Sequence, residues 1–187
     1  MLKEHDERAK LIAEQTLDLL GEVQREVEIP TADAPRIDLW LRRLHRPAAL
    51  PGFLRLLDAL FPEDAMIEVY SEAIRLASFH DSLHKQYAWR RHLLQKQRDQ
   101  APPPTAEPSS LRPPWLWLLS TGRPDTLFAE YSGLRPRPDL PAGIYDFGSG
   151  WRIGLVVISE LPTGPAAIET LVLRLMGSPA VQRAALA

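Results

Sequence analysis

The 187-residue chain contains no cysteine, which excludes disulfides, thiolate metal sites and cysteine nucleophiles together. It lacks any apolar run approaching the ~20 residues that a membrane span requires. The charged start, Met1-Leu2-Lys3-Glu4-His5-Asp6-Glu7-Arg8, lacks the hydrophobic stretch of a signal peptide, so a cytoplasmic location is the default expectation. The net charge is only -2, so the whole molecule has no general attraction for nucleic acid or acidic membranes, and any such binding must use a local patch. There is no Gly-rich phosphate loop, no Gly-x-Ser-x-Gly elbow and no His-Glu-x-x-His pair. Gly148-Ser149-Gly150 lacks the spacing for nucleotide binding and reads as a hairpin tip.

What is present is a globular composition, 45% hydrophobic and 25% charged, in a chain of single-domain length. Such a domain buries roughly 70% of the surface that its unfolded chain exposes. Eighteen prolines punctuate it. The densest stretch, Pro102-Pro103-Pro104 to Pro113-Pro114, cannot be helix or central strand, because proline lacks the amide donor and fixes its own φ. Residues 101–114 read as a surface linker of polyproline character joining two halves of one fold over 1–187. A docking motif for a proline-binding partner is the rival reading.

Apolar spacing of 3.6 predicts a helix from Lys3 to Leu20, stopped at Gly21. Strict alternation then predicts a half-exposed strand over Glu22–Ile29. Further strands are expected over Arg36–Arg42, with Ile37, Leu39 and Leu41 on one face, and over Met66–Tyr70. Helices are expected over Leu50–Phe61 and Phe79–Arg98. After the linker, Trp115–Ser120 and Arg152–Ser159 are continuous apolar runs, suited to strands covered on both sides. Between them Asp125–Tyr131 reads as helix, with Thr121 or Asp125 available as its cap. Ala166–Met176 is a further helix, and Ser178-Pro179 opens a last one that Ala187 cuts short. This order predicts an α/β sandwich around a mixed sheet.

Several groups could carry chemistry. His80 and His84 stand one helical turn apart and could share a metal ion, although helical histidines are usually surface residues. The long helix carries Arg75, Lys85, Arg90, Arg91, Lys96 and Arg98 against only Asp81 and Asp99, with Tyr87 and Trp89 between, a pattern that could track DNA phosphates or simply form a solvated face. Asp38 and Glu68 occupy matching central positions in two strands. If those strands are neighbours, two carboxylates come together, and their repulsion calls for a cation or proton. Hard ions such as Mg²⁺ prefer such oxygen donors. Pairing of Asp38 with Arg36 or Arg42 is the alternative.

Helix, strand, strand with a central Asp, then strand with a Glu is similar to the N-terminal half of the PD-(D/E)XK nuclease superfamily. More closely, the chain resembles a group of uncharacterised bacterial proteins, common in cyanobacteria, related to that superfamily. The likeness rests on His5-Asp6-Glu7-Arg8-Ala9-Lys10, Leu20-Gly21-Glu22-Val23, Arg36-Ile37-Asp38-Leu39-Trp40 and Pro114-Trp115-Leu116-Trp117-Leu118-Leu119-Ser120. It continues through Gly143-Ile144-Tyr145, Val156-Val157-Ile158-Ser159-Glu160-Leu161-Pro162 and Glu169-Thr170-Leu171-Val172-Leu173-Arg174-Leu175-Met176-Gly177. The resemblance implies a restriction-endonuclease-like, three-layer α/β/α domain and a Mg²⁺-dependent phosphodiesterase acting on DNA. It assigns Asp38 and Glu68 as metal-binding acids and Glu14 as an additional one. The catalytic lysine of the motif should stand where this chain has Tyr70, so Lys85 on the following helix is the substitute it suggests. Without such a substitute, the site is degenerate and the fold serves binding or scaffolding. Association of identical chains is left open.

Overall fold

A computed structural model describes residues 2–30, 35–43, 51–100 and 112–186. The proline-rich 101–111, which includes most of the expected linker, residues 31–34, within the turn expected from Pro30 to Pro35, and residues 44–50 lie outside the described residues. The elements run α1 (Leu2–Leu17), β1 (Gly21–Glu28), β2 (Arg36–Arg43), α2 (Gly52–Leu60), β3 (Ala65–Tyr70), α3 (Leu76–Gln100) and β4 (Trp115–Ser120). They continue as α4 (Asp125–Glu130), β5 (Arg135–Pro136), β6 (Ile144–Asp146), β7 (Ile153–Val157), α5 (Leu171–Leu175) and α6 (Pro179–Leu186). The protein is thus α/β, with one seven-stranded mixed sheet in the order β1-β2-β3-β4-β7-β6-β5.

Sequence pattern decides where each strand lies. β1 alternates Val23, Arg25 and Val27 with exposed Glu22, Gln24, Glu26 and Glu28, and it forms an edge of the sheet. The mostly apolar β3, β4 and β7, the first with Glu68 buried in its middle, occupy the centre and pair in parallel, where both sides are covered. β1, β2 and β3 pair antiparallel in succession. Along the strands, side chains are shared between two cores. Leu39, Leu41, Ile67, Val69, Trp117 and Leu119 pack with Ala9, Ala13 and Leu17 of α1 and with α2 and α5. Trp40, Met66, Leu116 and Leu118 pack with Phe79 and Trp89 of α3. Gly154 faces Trp117 across β4–β7, and a Cβ there would stand 2.3 Å from the indole, so only glycine admits this ring.

Some expectations need correction. Ile37 belongs to the α3 core and not to that of Leu39 and Leu41. The break coincides with Glu26, whose φ of 49° places a non-glycine residue in the left-handed region of β1. β5 and β6 carry too few residues to show a period. The hairpin between β6 and β7 does turn at Gly148–Gly150, with Gly148 at φ 85°. α4 has no side-chain cap, because its N-cap position is Pro124; Thr121 Oγ1 donates to the Tyr70 carbonyl, and Asp125 is the first helical residue. The helix expected over Ala166–Met176 is divided into a 3₁₀ segment, Pro165–Thr170, and α5, with Ala167 at φ -102°, ψ 33°. α6 is tied to what precedes it by Gln182 Nε2, which donates to the carbonyls of Leu175 and Gly177.

Candidate functional site

The site begins where the β2–β3 ladder opens. Regular pairing ends at Leu39↔Ile67, and one further step along the same register sets Asp38 against Glu68. There the side chains take over the backbone's role. The Val69 N–H donates to Asp38 Oδ2 at 2.9 Å, and the Asp38 N–H reaches Glu68 Oε1 at 3.4 Å. Two carboxylates are therefore locked into a fork between neighbouring strands, with little rotamer freedom. The condition that the sequence left open, that β2 and β3 be neighbours, is met.

Each carboxylate faces a lysine from a different helix. Lys85 Nζ of α3 lies 2.6 Å from Glu68 Oε2. Lys10 Nζ of α1 lies 2.8 Å from Asp38 Oδ1 and 3.1 Å from Glu26 Oε1. α1 and α3 pack in separate cores, so the two ammonium groups reach the fork from helices of different cores. Glu26 falls between the register pairs Arg25↔Leu39 and Val27↔Ile37, opposite Asp38. Glu26, Asp38 and Glu68 thus form a row across β1, β2 and β3, with Lys10 between the first two and Lys85 on the third.

Burial sets the electrostatics. Glu68 is 3% exposed, and desolvation, followed by the nearby Asp38 charge, pushes its carboxyl up to about 7 from an ordinary 4.5. Lys85 acts in the opposite direction through its charge and hydrogen bond. Tyr70, at the motif's lysine position, turns its hydroxyl into α3, sharing a 2.6 Å hydrogen bond with Ser82 Oγ and donating to the Ser78 carbonyl at 3.3 Å. Burial, then the Glu68 charge, raises the proton affinity of this phenol above its ordinary range. It is a neutral strut between β3 and α3.

The remaining candidates go elsewhere. Glu14 pairs with Arg25 at 3.5 Å. Arg36 bonds Glu28, its register partner across β1–β2, at 2.7 Å rather than Asp38, and Arg42 is exposed. His80 meets the Tyr131 hydroxyl at 2.8 Å, while His84 is exposed. Among the described residues, no group of three or more His, Asp or Glu side chains stands together as a metal site. Lys10 was not singled out as a site residue from the sequence. Its one signal is its place beside the Ala9-Ala13-Leu17 stripe, where it is only 7% exposed. Beyond Lys85, Arg91, His92 and Lys96 of α3 line an open groove of about 480 Å³ against Pro30.

Comparison with known proteins brings no match, whether among family models, curated proteins or solved structures. The geometry defines a class of site, a buried carboxylate pair balanced by two lysines at the open end of a mixed sheet. Among the described residues, no helix is long and apolar enough to cross a membrane.

Proposed function

We propose that the chain is a Mg²⁺-dependent phosphodiesterase acting on DNA, with a PD-(D/E)XK-like site in a restriction-endonuclease-like α/β/α arrangement and a cytoplasmic place of action. The observation that carries this reading is Lys85 Nζ at 2.6 Å from Glu68 Oε2. A cation absent from the motif position Tyr70 is supplied from α3 to the same carboxylate. A helix followed by three antiparallel strands, the second and third joined through α2, then a helix and a parallel strand, supports the topological part of the reading.

The donor set fits a hard divalent cation. Asp38 and Glu68 are adjacent oxygen ligands, and burial, then the Asp38 charge, pushes the Glu68 carboxyl up, as expected of two acids held together in a desolvated fork. These two residues would hold the ion, and a bound Mg²⁺ supplies charge that polarises a phosphate and acidifies water. Lys85 is placed to neutralise negative charge growing on a phosphate oxygen. Arg91 and Lys96, farther along α3, supply cations for flanking phosphates.

One observation favours a second reading, a non-catalytic binding protein that keeps the fold: both carboxylates already carry a lysine counter-ion. Supercoiled plasmid incubated with millimolar Mg²⁺ or Mn²⁺ separates the two. Nicking that disappears with Asp38→Asn, Glu68→Gln or Lys85→Met supports the enzyme. An inert parent protein that still binds DNA supports the binding module.

A further inference from the structure

We infer that Lys10 sets the affinity of the Asp38–Glu68 site for a divalent cation, acting as an internal competitor whose hold on Asp38 is divided by Glu26. This inference rests on the phosphodiesterase reading above and assigns a role to a residue outside the motif. Lys10 is a positioning residue, and three observations carry the argument.

The first is distance. The Lys10 ammonium lies 2.8 Å from Asp38 Oδ1, so a cation bound by that oxygen and the ammonium cannot both hold it at close range. The second is burial. The Lys10 side chain is 9% exposed and that of Asp38 16%, so water screens their attraction poorly, and the lysine cannot simply leave for solvent. The third is Glu26. It is the second acceptor for Lys10, at 3.1 Å, and its backbone sits at φ 49° in the middle of an edge strand. Residues other than glycine rarely adopt that conformation unless the surroundings hold it. Irregular strand positions of this kind re-aim a side chain, and here the re-aimed carboxylate meets Lys10.

Glu26 therefore gives Lys10 a place to stay when Asp38 is taken by a metal. The lysine need not be expelled from its pocket, since it can shift its bond from one acid to the other. Affinity for the metal is lowered by the competition without being abolished. Lys85 is different in kind, because Glu68 is the one carboxylate it bonds among the described residues.

The test is a calorimetric titration of metal-free protein with Mn²⁺ alone, with melting curves recorded alongside. Lys10→Met should tighten Mn²⁺ binding by about tenfold or more, since an unscreened cation beside the ligand has gone. Lys10→Arg, which keeps the charge, should bind like the parent. If Lys10→Met does not fold, Glu26→Gln decides the question: the Glu26 side chain is 42% exposed, so the variant should fold, and the competition of the Glu26 carboxylate with Asp38 for Lys10 is removed. Mn²⁺ binding should then weaken, while Glu28→Gln, on the same strand but bonded to Arg36, should leave it unchanged. A parent that binds Mn²⁺ while Lys10→Met binds it no more tightly overturns the role of Lys10 and spares the phosphodiesterase reading. Absence of Mn²⁺ binding in the parent and in Lys10→Met alike overturns both.

Discussion

At the scale of single residues, Glu68 is where burial and charge oppose each other most strongly. Its carboxyl is pushed to about 7 in the folded protein, against 4.5 for an ordinary glutamate. Between those values the folded state holds a proton that the unfolded chain has released. Stability gained from that proton is therefore present at the acid end and is lost as pH rises through 7. Urea unfolding of metal-free protein should show stability falling by about 1–3 kcal/mol between about pH 5.5 and about pH 8. Glu68→Gln should flatten that fall, because its amide has no proton to lose. Equal slopes for parent and variant would show that Glu68 is ionised throughout, with Lys85 outweighing desolvation. The raised proton affinity and the proposed preference for a metal share one cause, a carboxylate placed beside another in a dry fork.

At the scale of elements, β3 delivers Glu68 and α3 delivers Lys85, so their attachment decides whether the pair meets. Tyr70 provides part of that attachment through Ser82 and the Ser78 carbonyl. Tyr70→Phe removes the hydroxyl from a shared hydrogen bond and leaves Ser82 with its bond to Ser78. It should cost about 0.5–2 kcal/mol in urea unfolding while leaving Mn²⁺ affinity unchanged. A variant that lost the metal with its stability intact would mean that the phenol belongs to the site. The strands that place Asp38 and Glu68 were legible in the sequence because Leu39 and Leu41 recur at period two in β2 and because β3 is rich in β-forming residues around Glu68. The meeting of the two acids was legible as a condition, since their positions in the two strands match. Their counter-ions were not. Arg36 and Arg42 were the nearest cations in sequence, yet antiparallel register sets Arg36 opposite Glu28, and Lys10 arrives from a helix that packs in the other core. β5 and β6 escaped notice because two and three residues are too short for a period to show. The kink at Ala167 comes two residues after Pro165, which opens the 3₁₀ segment, but no proline or glycine lies within Ala166–Met176 itself, so its apolar spacing read as one helix.

At the scale of the whole molecule, a near-neutral protein can attract DNA only through asymmetry, and α3 supplies it. Its 25 residues carry cations from Lys85 to Arg98, with Arg91 and Lys96 in the groove beside Pro30. With Ca²⁺ in place of Mg²⁺ to hold off cleavage, affinity for a short duplex should fall steeply with salt. Arg91→Ala and Lys96→Ala should each reduce the slope of log K against log salt by ~0.9, one phosphate contact apiece. Unchanged slopes would move the DNA to another surface. The sheet gives this helix its bearing on the chemistry, since β3 and β4 pair in parallel and α3 connects them. The central claim is that Asp38, Glu68 and Lys85 together cut phosphodiesters, and plasmid cleavage tests it most directly. Supercoiled plasmid with millimolar Mg²⁺ or Mn²⁺ should be nicked by the parent protein, spared when a chelator is added, and spared by Asp38→Asn and by Lys85→Met. A folded parent that leaves the plasmid intact in both metals, or a Lys85→Met variant that cuts as well as the parent, would contradict the account.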